Sequence, residues 1–310
     1  MAKPPPYVVV HGGVHKTATS YIQSILQRNA GKMRKSGVHY IHHRDTRKEY
    51  TFPSQLNGYE KIGLQYKTKV PDAELAERAK AFFGAVGAGP GERIILSDEN
   101  MAGHSGHCVR SGKLYQRRNV LVPIFANNII YPVTEVHIAI RNYADFFAST
   151  FVEFLRSATG DKVIPEAQMK RQVLSKLPSW VKFVDLILKC FPQAELTLWR
   201  HEDFRDLSGR IIGNLCGPDI DTGKLATPKR SRGRPSASHR AVREILMEIE
   251  RSGGAAALAK RVEIQDAYPR GPDYPGYDPW TEAERAHLTR MYHQDIAEIA
   301  KRRGVRLLEP

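Results

Sequence analysis

Residues 7–29 read YVVVHGGVHKTATSYIQSILQRN, a strand, a turn and the start of a helix in close succession. Tyr7–Val10 is a short β-branched run that stops at His11-Gly12-Gly13. Lys16-Thr17-Ala18-Thr19-Ser20 follows, and an amphipathic helix opens at once, with Tyr21, Ile22, Ile25 and Leu26 on its apolar side. A strand, a glycine turn, a lysine with hydroxyls and a helix N-terminus together make a phosphate cradle. The turn amides and the first free N–H groups of the helix point at one spot, which the helix dipole makes positive. Lys16 adds a full charge there, and Thr17, Thr19 and Ser20 add hydroxyl donors. The nucleotide-kinase pattern G-x-x-x-x-G-K-[ST] fails, because His15 rather than glycine precedes Lys16.

Residues 134–156 read TEVHIAIRNYADFFASTFVEFLR. Val136, Ile138 and Ile140 alternate as in a strand, Arg141 ends it, and a helix with Phe146, Phe147, Phe151, Phe154 and Leu155 follows. Asp145 and Ser149 are four apart on one helical face, just beyond Arg141. The planar fork of an arginine suits a phosphate because it donates twice. Read singly, Arg141 caps a strand and Ser149 packs in a helix. Between the two stretches, Arg93–Ser97 is a short buried-type strand followed by Asp98-Glu99-Asn100. A carboxylate at such a strand end can take the proton of an attacking hydroxyl. His104 and His107 stand close behind as rival bases, and Glu99 also reads as a plain cap. Asp98 after an apolar strand has its own rival reading, the magnesium ligand of an ATP-dependent kinase.

These segments resemble the sulfotransferases that use 3′-phosphoadenosine 5′-phosphosulfate (PAPS), with a bacterial flavour from His11-x-Gly13 and Gln23. That family carries K-[ST]-x-T-[TS] between its first strand and first helix, which Lys16–Ser20 fits. Many members have glycine where Ala18 stands. It also carries R-[ND]-x-x-[DE]-x-x-x-S, which Arg141, Asn142, Asp145 and Ser149 fit, and a strand ending in S-x-E-[NH], which Ser97, Glu99 and Asn100 fit. The resemblance implies that Gly13, His15, Lys16, Thr17, Ala18, Thr19 and Ser20 form the 5′-phosphosulfate loop, and that Arg141 and Ser149 grip the 3′-phosphate. Glu99 is implied as base, with His104 as its rival, and Lys16 as stabiliser of the departing bridging oxygen. Residues 224–240, KLATPKRSRGRPSASHR, are a solvated basic arm or, by analogy with the family, a lid in which Lys229, Arg230, Arg232 and Arg234 touch the 3′-phosphate. PAPS is then the donor and adenosine 3′,5′-bisphosphate the product, without a metal. The acceptor offers a hydroxyl, or in second place an amine. It is a carbohydrate, a glycolipid or a small metabolite. The resemblance covers roughly residues 5–207.

The alternation along the chain predicts an α/β, P-loop NTPase-like three-layer fold, with a central parallel sheet flanked by helices. A single domain spans 1–310, with the basic loop and a helical part in 208–310. Gly37–Ile41 reads as a second strand and 42–72 as an irregular polar insertion near the acceptor side. A helix runs from Asp72 to about Val86, and 101–133 is ambiguous. A helix follows Pro178, and Glu195–Trp199 reads as a strand; Arg200-His201-Glu202-Asp203-Phe204 after it resembles the family's x-[YH]-E-D-[FL], which implies the last core strand. A helix over Ala241–Arg251 comes next, then a loop over 265–280 rich in Tyr, Pro, Gly and Asp, expected to reach the acceptor. Thr281-x-x-Glu284 is a capping box for a final helix. Lys16, Glu99 and Arg141 all fall at the carboxyl ends of strands, where open α/β sheets bind their ligands.

Composition bounds the remaining choices. At 310 residues, 47 Lys and Arg against 33 Asp and Glu give a net charge of +14, which suits a polyanionic ligand. No helix-turn-helix, zinc-finger or RNP-like pattern supports nucleic acid as the partner. Cys108, Cys190 and Cys216 are scattered and odd in number, which argues against a disulfide framework and for a reducing compartment. His104-x-x-His107-Cys108 and His42-His43 lack a second ligand pair for a metal. MAKPPP runs straight into a strand rather than a signal-peptide apolar stretch, and no apolar run reaches the roughly 18 residues of a membrane span. The expectation is a cytoplasmic enzyme, with peripheral membrane contact left open. Two rivals stand beside it: an ATP- and magnesium-dependent small-molecule kinase, and a non-catalytic polyanion-binding protein.

Overall fold

The opening β-branched run forms β1 (Tyr7–His11), an inner strand of the sheet in a computed structural model that describes residues 4–157, 163–228 and 236–310. In chain order there follow α1 (Thr19–Arg34), β2 (Val38–Ile41), α2 (His43–Asp45), a π-helical segment (Thr46–Thr51), α3 (Phe52–Lys61) and α4 (Asp72–Gly84). Next come β3 (Arg93–Ser97), α5 (Ser105–Ser111), α6 (Arg118–Asn127), β4 (Val133–Ile140), α7 (Tyr143–Ser157) and α8 (Glu166–Lys176). The chain closes with α9 (Trp180–Cys190), β5 (Glu195–Arg200), α10 (Phe204–Cys216), α11 (His239–Ala267), α12 (Glu282–Ile299) and β6 (Val305–Leu308).

All six strands run parallel in the order β2-β3-β1-β4-β5-β6. Strand side chains alternate between faces. Val8 and Val10 therefore pack with Ile94, Leu96, Val136 and Ile138 under helices that include α4, α7, α9 and α12. Val9, Ile95, Ala139 and Trp199 pack on the other side against Ile22, Ile25 and Leu26 of α1 and Leu207, Ile211 and Leu215 of α10. Burial on both faces explains why β1 reads as an unbroken apolar run. The expected three-layer α/β architecture is observed. β1 lies between β3 and β4, so the chain leaves it toward opposite sides of the sheet. That switch point opens a crevice at the strands' carboxyl ends. No helix among the described residues is long and apolar enough to cross a membrane.

A buried polar chain underlies this crevice. His11 Nδ1 lies 2.9 Å from Ser97 Oγ, Gln23 Nε2 donates to the same oxygen at 3.1 Å, and the His11 ring stacks on Trp199. Burial, helped by nearby His137, lowers His11 from 6.5 to about 3. Between those values the unfolded chain binds a proton that the folded chain does not. Stability from this group is thus complete above pH 6.5, falls as pH drops below it, and levels off near pH 3. At pH 5 the expected loss is about 2 kcal/mol. Urea unfolding at pH 7.5 and 5.0 should show it, and His11→Asn should remove that part of the pH dependence.

Three expectations are corrected. Residues 43–61 are not irregular but a continuous helical run through the π-helical segment. Its inward side is largely polar, which hides it from a hydropathy pattern. Gln55 Nε2 donates to the Asn100 carbonyl at 2.6 Å, and Asn57 Nδ2 to the Val70 carbonyl at 2.9 Å. Gly58 lets α6 approach, since a Cβ there would lie 2.8 Å from Leu121 Cδ2. β5 is not the last strand, because β6 pairs parallel with it after α12. The helix after the basic stretch extends past Arg251 to Ala267, turning at Gly253 where φ is 81°. The capping box is present, with Thr281 and Glu284 satisfying each other's backbone amides.

Candidate functional site

The loop between β1 and α1 alternates in handedness. Lys16 and Ala18 have φ of 65° and 66°, while Thr17 between them stays in the negative region. Such alternation turns successive amides toward one point and makes an anion-binding concavity. Among the described residues no backbone acceptor takes the amides of residues 16–20. Ala18 is the helix N-cap without a side-chain bond, so the first-turn donors face the same concavity. Gly13 permits the close return of the chain, since a Cβ there would lie 2.6 Å from Thr19 Oγ1. The left-handed Ala18 carries a Cβ penalty. Ala18→Gly is expected to stabilise the fold by about 0.5–1 kcal/mol, after allowing for glycine's greater freedom in the unfolded chain. Calorimetric unfolding would register this as a rise in midpoint of about 2 °C.

The loop is braced on both flanks. On the β3 side, the His15 amide donates to the Tyr115 hydroxyl at 3.0 Å. His15 Nδ1 lies 3.0 Å from that hydroxyl, and Nε2 lies 3.3 Å from Asn100 Oδ1. Asn100 Oδ1 only accepts, so Nε2 carries the proton and Nδ1 takes that of Tyr115. Burial lowers the His15 pKa and favours this neutral ring. His15 therefore positions the loop, with its amide and both ring nitrogens already engaged. Thr17 and Thr19 are buried, and Thr17 Oγ1 donates to the Val14 carbonyl at 2.5 Å, so this hydroxyl tightens the turn while Ser20 stands exposed.

On the β4 side, Arg141 Nη1 donates to the Lys16 carbonyl at 2.6 Å, and Trp180 Nε1 donates to the Arg141 carbonyl at 2.9 Å. Lys16, Arg141 and Ser149 line one cleft of about 100 Å³, together with Arg156 and Arg270. Arg141 Nε is buried there with no hydrogen-bond partner among the described residues. Burial lowers the pKa of both Arg141 and Lys16, opposed by Asp145 and Glu202 at the first and by Glu153 at the second. Lys16 Nζ lies 3.6 Å from Glu153 of α7. Asp145 pairs at 3.0 Å with Arg285 of α12, which makes it a tie between helices. Glu202 accepts from the Asn142 amide and the Tyr292 hydroxyl, locking the end of β5 to the end of β4. Four cations around one small cleft, one of them with a spare buried donor, fit a phosphate group.

Glu99 lies on the other flank, half-buried after β3, with Oε1 3.5 Å from Arg47 of the π-helical segment. Its charge acts on the His15 ring. Asp98 is fully buried, and its Oδ1 accepts from Arg47 at 2.8 Å and from the Asn100 amide and side chain. His104 is exposed. Its pKa is lowered, first by desolvation and then by His15 nearby. The site residues missed by sequence reasoning are Arg47, Tyr115, Glu153, Arg156 and Arg270. Helical spacing from Ser149 pointed to Glu153 and Arg156. Nothing in the sequence pointed to the other three. Arg270 and Tyr277 show that the Tyr/Pro/Gly-rich loop reaches the cationic cleft. Lys229, Arg230, Arg232 and Arg234 lie outside the described residues.

No protein-family model matches the chain, and no curated protein matches it. Among solved structures, it is similar to a sulfotransferase from Alicyclobacillus acidocaldarius. The TM-score is 0.39 and the identity 14%, over 88% of this chain and 98% of that one.

Proposed function

We propose that this protein is a sulfotransferase that moves a sulfuryl group from PAPS to a hydroxyl, or in second place an amine, of an acceptor. The observation that carries the reading is the hydrogen bond of 2.6 Å from Arg141 to the Lys16 carbonyl. It joins two phosphate motifs 125 residues apart into one cationic cleft that also contains Ser149. A donor nucleotide with phosphates at both ends needs two linked anion sites, and ATP has no group for the second. The loop amides of residues 16–20 would hold the 5′-phosphosulfate, and Arg141 with Ser149 the 3′-phosphate. When bound, PAPS supplies the sulfuryl group, and adenosine 3′,5′-bisphosphate leaves.

The chain's own residues then divide the work. Lys16 exchanges Glu153 for the phosphate and neutralises charge on the bridging oxygen, where a fixed cation stabilises the transition state most. Glu99, on the opposite flank of the loop, takes the acceptor's proton. His104 is the second candidate for that role. The kinase alternative would draw on Asp98, whose Oδ1 is committed to Arg47 and Asn100 while its Oδ2 is buried without a partner among the described residues.

The test is calorimetric titration of adenosine 3′,5′-bisphosphate against ADP and ATP with EDTA present. The expected result is metal-free preference for the 3′-phosphorylated nucleotide. Preference for ATP restored by magnesium would replace the reading with a kinase. Binding of neither, with steeply salt-dependent binding of polyanions, would leave the polyanion-binding reading.

A further inference from the structure

A cavity of about 690 Å³ opens along the outer edge of β2, within the range of small-molecule sites. β2 is an edge strand, and α1 and α4 pack on opposite faces of the sheet, so the cavity wraps the open edge between the two helical layers. Much of its wall is apolar: Ala30, Ile41, Ala81, Phe82, Ala85 and Val86. Polar side chains complete the lining, Gln27, His42 and Asp45 toward the carboxyl end of β2 and Arg34, His39, Glu49 and Arg78 elsewhere. A second cavity of about 300 Å³ shares Gln27 and His42 with the first and runs on to Ser20 and Gln23, at the start of α1. The two cavities adjoin at Gln27 and His42 and together mark a path from an apolar chamber toward the start of α1.

The order of strands gives the path its direction. Across the carboxyl end of the sheet stand β2 with the cavity, β3 with Glu99, β1 with the loop, and β4 with Arg141. Arg47, two residues beyond cavity-lining Asp45, contacts both Asp98 and Glu99. A molecule in the cavity thus approaches the loop from the carboxylate flank, opposite the cationic cleft. His43 lies on this path, and burial with His42 alongside lowers it to about 4, so its ring is neutral at pH 7 and can accept a hydrogen bond.

We infer that this path is the acceptor site and that the acceptor is amphipathic, a hydroxyl head carried on an alkyl or aryl body. The inference rests on the sulfotransferase reading. A chain of sugars filling the chamber would leave without partners those hydroxyls that face Ala81, Phe82 and Val86, which is unfavourable. An apolar body gains by leaving water there, while its hydroxyl reaches the polar end and Glu99.

The test uses protein saturated with adenosine 3′,5′-bisphosphate and two probes with the same head, octyl β-glucoside below its micelle concentration and methyl β-glucoside. Calorimetry is expected to show the octyl compound binding at least about tenfold more tightly. Ala81→Trp in α4 and Ala85→Trp at its C-cap, both exposed positions, should weaken it about tenfold by filling the chamber and leave bisphosphate affinity unchanged. Equal binding of the two glucosides, indifference to both tryptophans, or competition with the nucleotide would each overturn the assignment. Absence of bisphosphate binding in the wild type would instead overturn the sulfotransferase reading. The glucoside comparison on the nucleotide-free protein would then still decide whether the chamber takes amphiphiles.

Discussion

Replacing Arg141 by alanine is expected to weaken binding of adenosine 3′,5′-bisphosphate about 100-fold more than it weakens binding of ADP. The magnitude follows from the environment. Charge-assisted hydrogen bonds to a phosphate contribute about 1.5–3 kcal/mol, and Arg141 is desolvated with a spare buried Nε. Arg141 also grips the Lys16 carbonyl, so the alanine variant loosens the loop as well. The informative quantity is therefore the ratio of the two nucleotides' affinities, not either one alone. Arg141→Lys keeps the charge and loses the fork, and should fall between wild type and alanine. Ser149→Ala removes one neutral donor and should cost about tenfold at most. Equal loss for both nucleotides in Arg141→Ala would make Arg141 a brace for the loop and nothing more. Calorimetry with EDTA separates these outcomes.

The two halves of the cleft were legible because each is a local pattern. A strand, a turn and a helix start can be read within 15 residues, and side-chain type then says what converges there. What joins them was not legible. The Arg141–Lys16 bond, the Tyr115 hydroxyl under His15 and the Arg47 guanidinium on Asp98 span 125, 100 and 51 residues. No sequence period encodes such pairings. The run over residues 43–61 escaped for another reason. Its buried side carries Ser54, Gln55 and Asn57, whose hydrogen bonds make burial favourable and which a hydropathy count places outside. β6 escaped because four residues at a sheet edge, with Arg306 exposed between half-buried Val305 and Leu307, look like a tail. Two motif residues changed meaning once neighbours were visible. Asp145 is tied to Arg285, and His15 is held by Tyr115 and Asn100. Both keep the site in shape, which a spacing rule cannot tell from contact with a ligand.

Glu99→Gln is expected to lower turnover of PAPS by about 10²–10⁴, the usual range for loss of a general base, with bisphosphate affinity unchanged within about threefold. The substitution keeps shape and removes the proton acceptor. The separation of effects follows from the sheet: Glu99 follows β3, whereas the cationic cleft lies beyond β1 at β4. Arg47 complicates the position, since it sits 3.5 Å from Glu99 and 2.8 Å from Asp98. Removing one carboxylate leaves Arg47 its closer partner, so the fold should survive, and an unchanged unfolding midpoint would show it. His104→Gln is the discriminating companion. His104 is exposed and held neutral at pH 7 by its lowered pKa, so it has a free lone pair for a proton. If Glu99 is the base, His104→Gln costs less than about tenfold. If His104 is the base, that variant takes the large loss. Activity should then also fall as pH drops through the lowered histidine pKa, because protonation removes the acceptor. Turnover with an alkyl glycoside acceptor, and with water in its place, measured for both variants from pH 5 to 8, assigns the proton to one side chain.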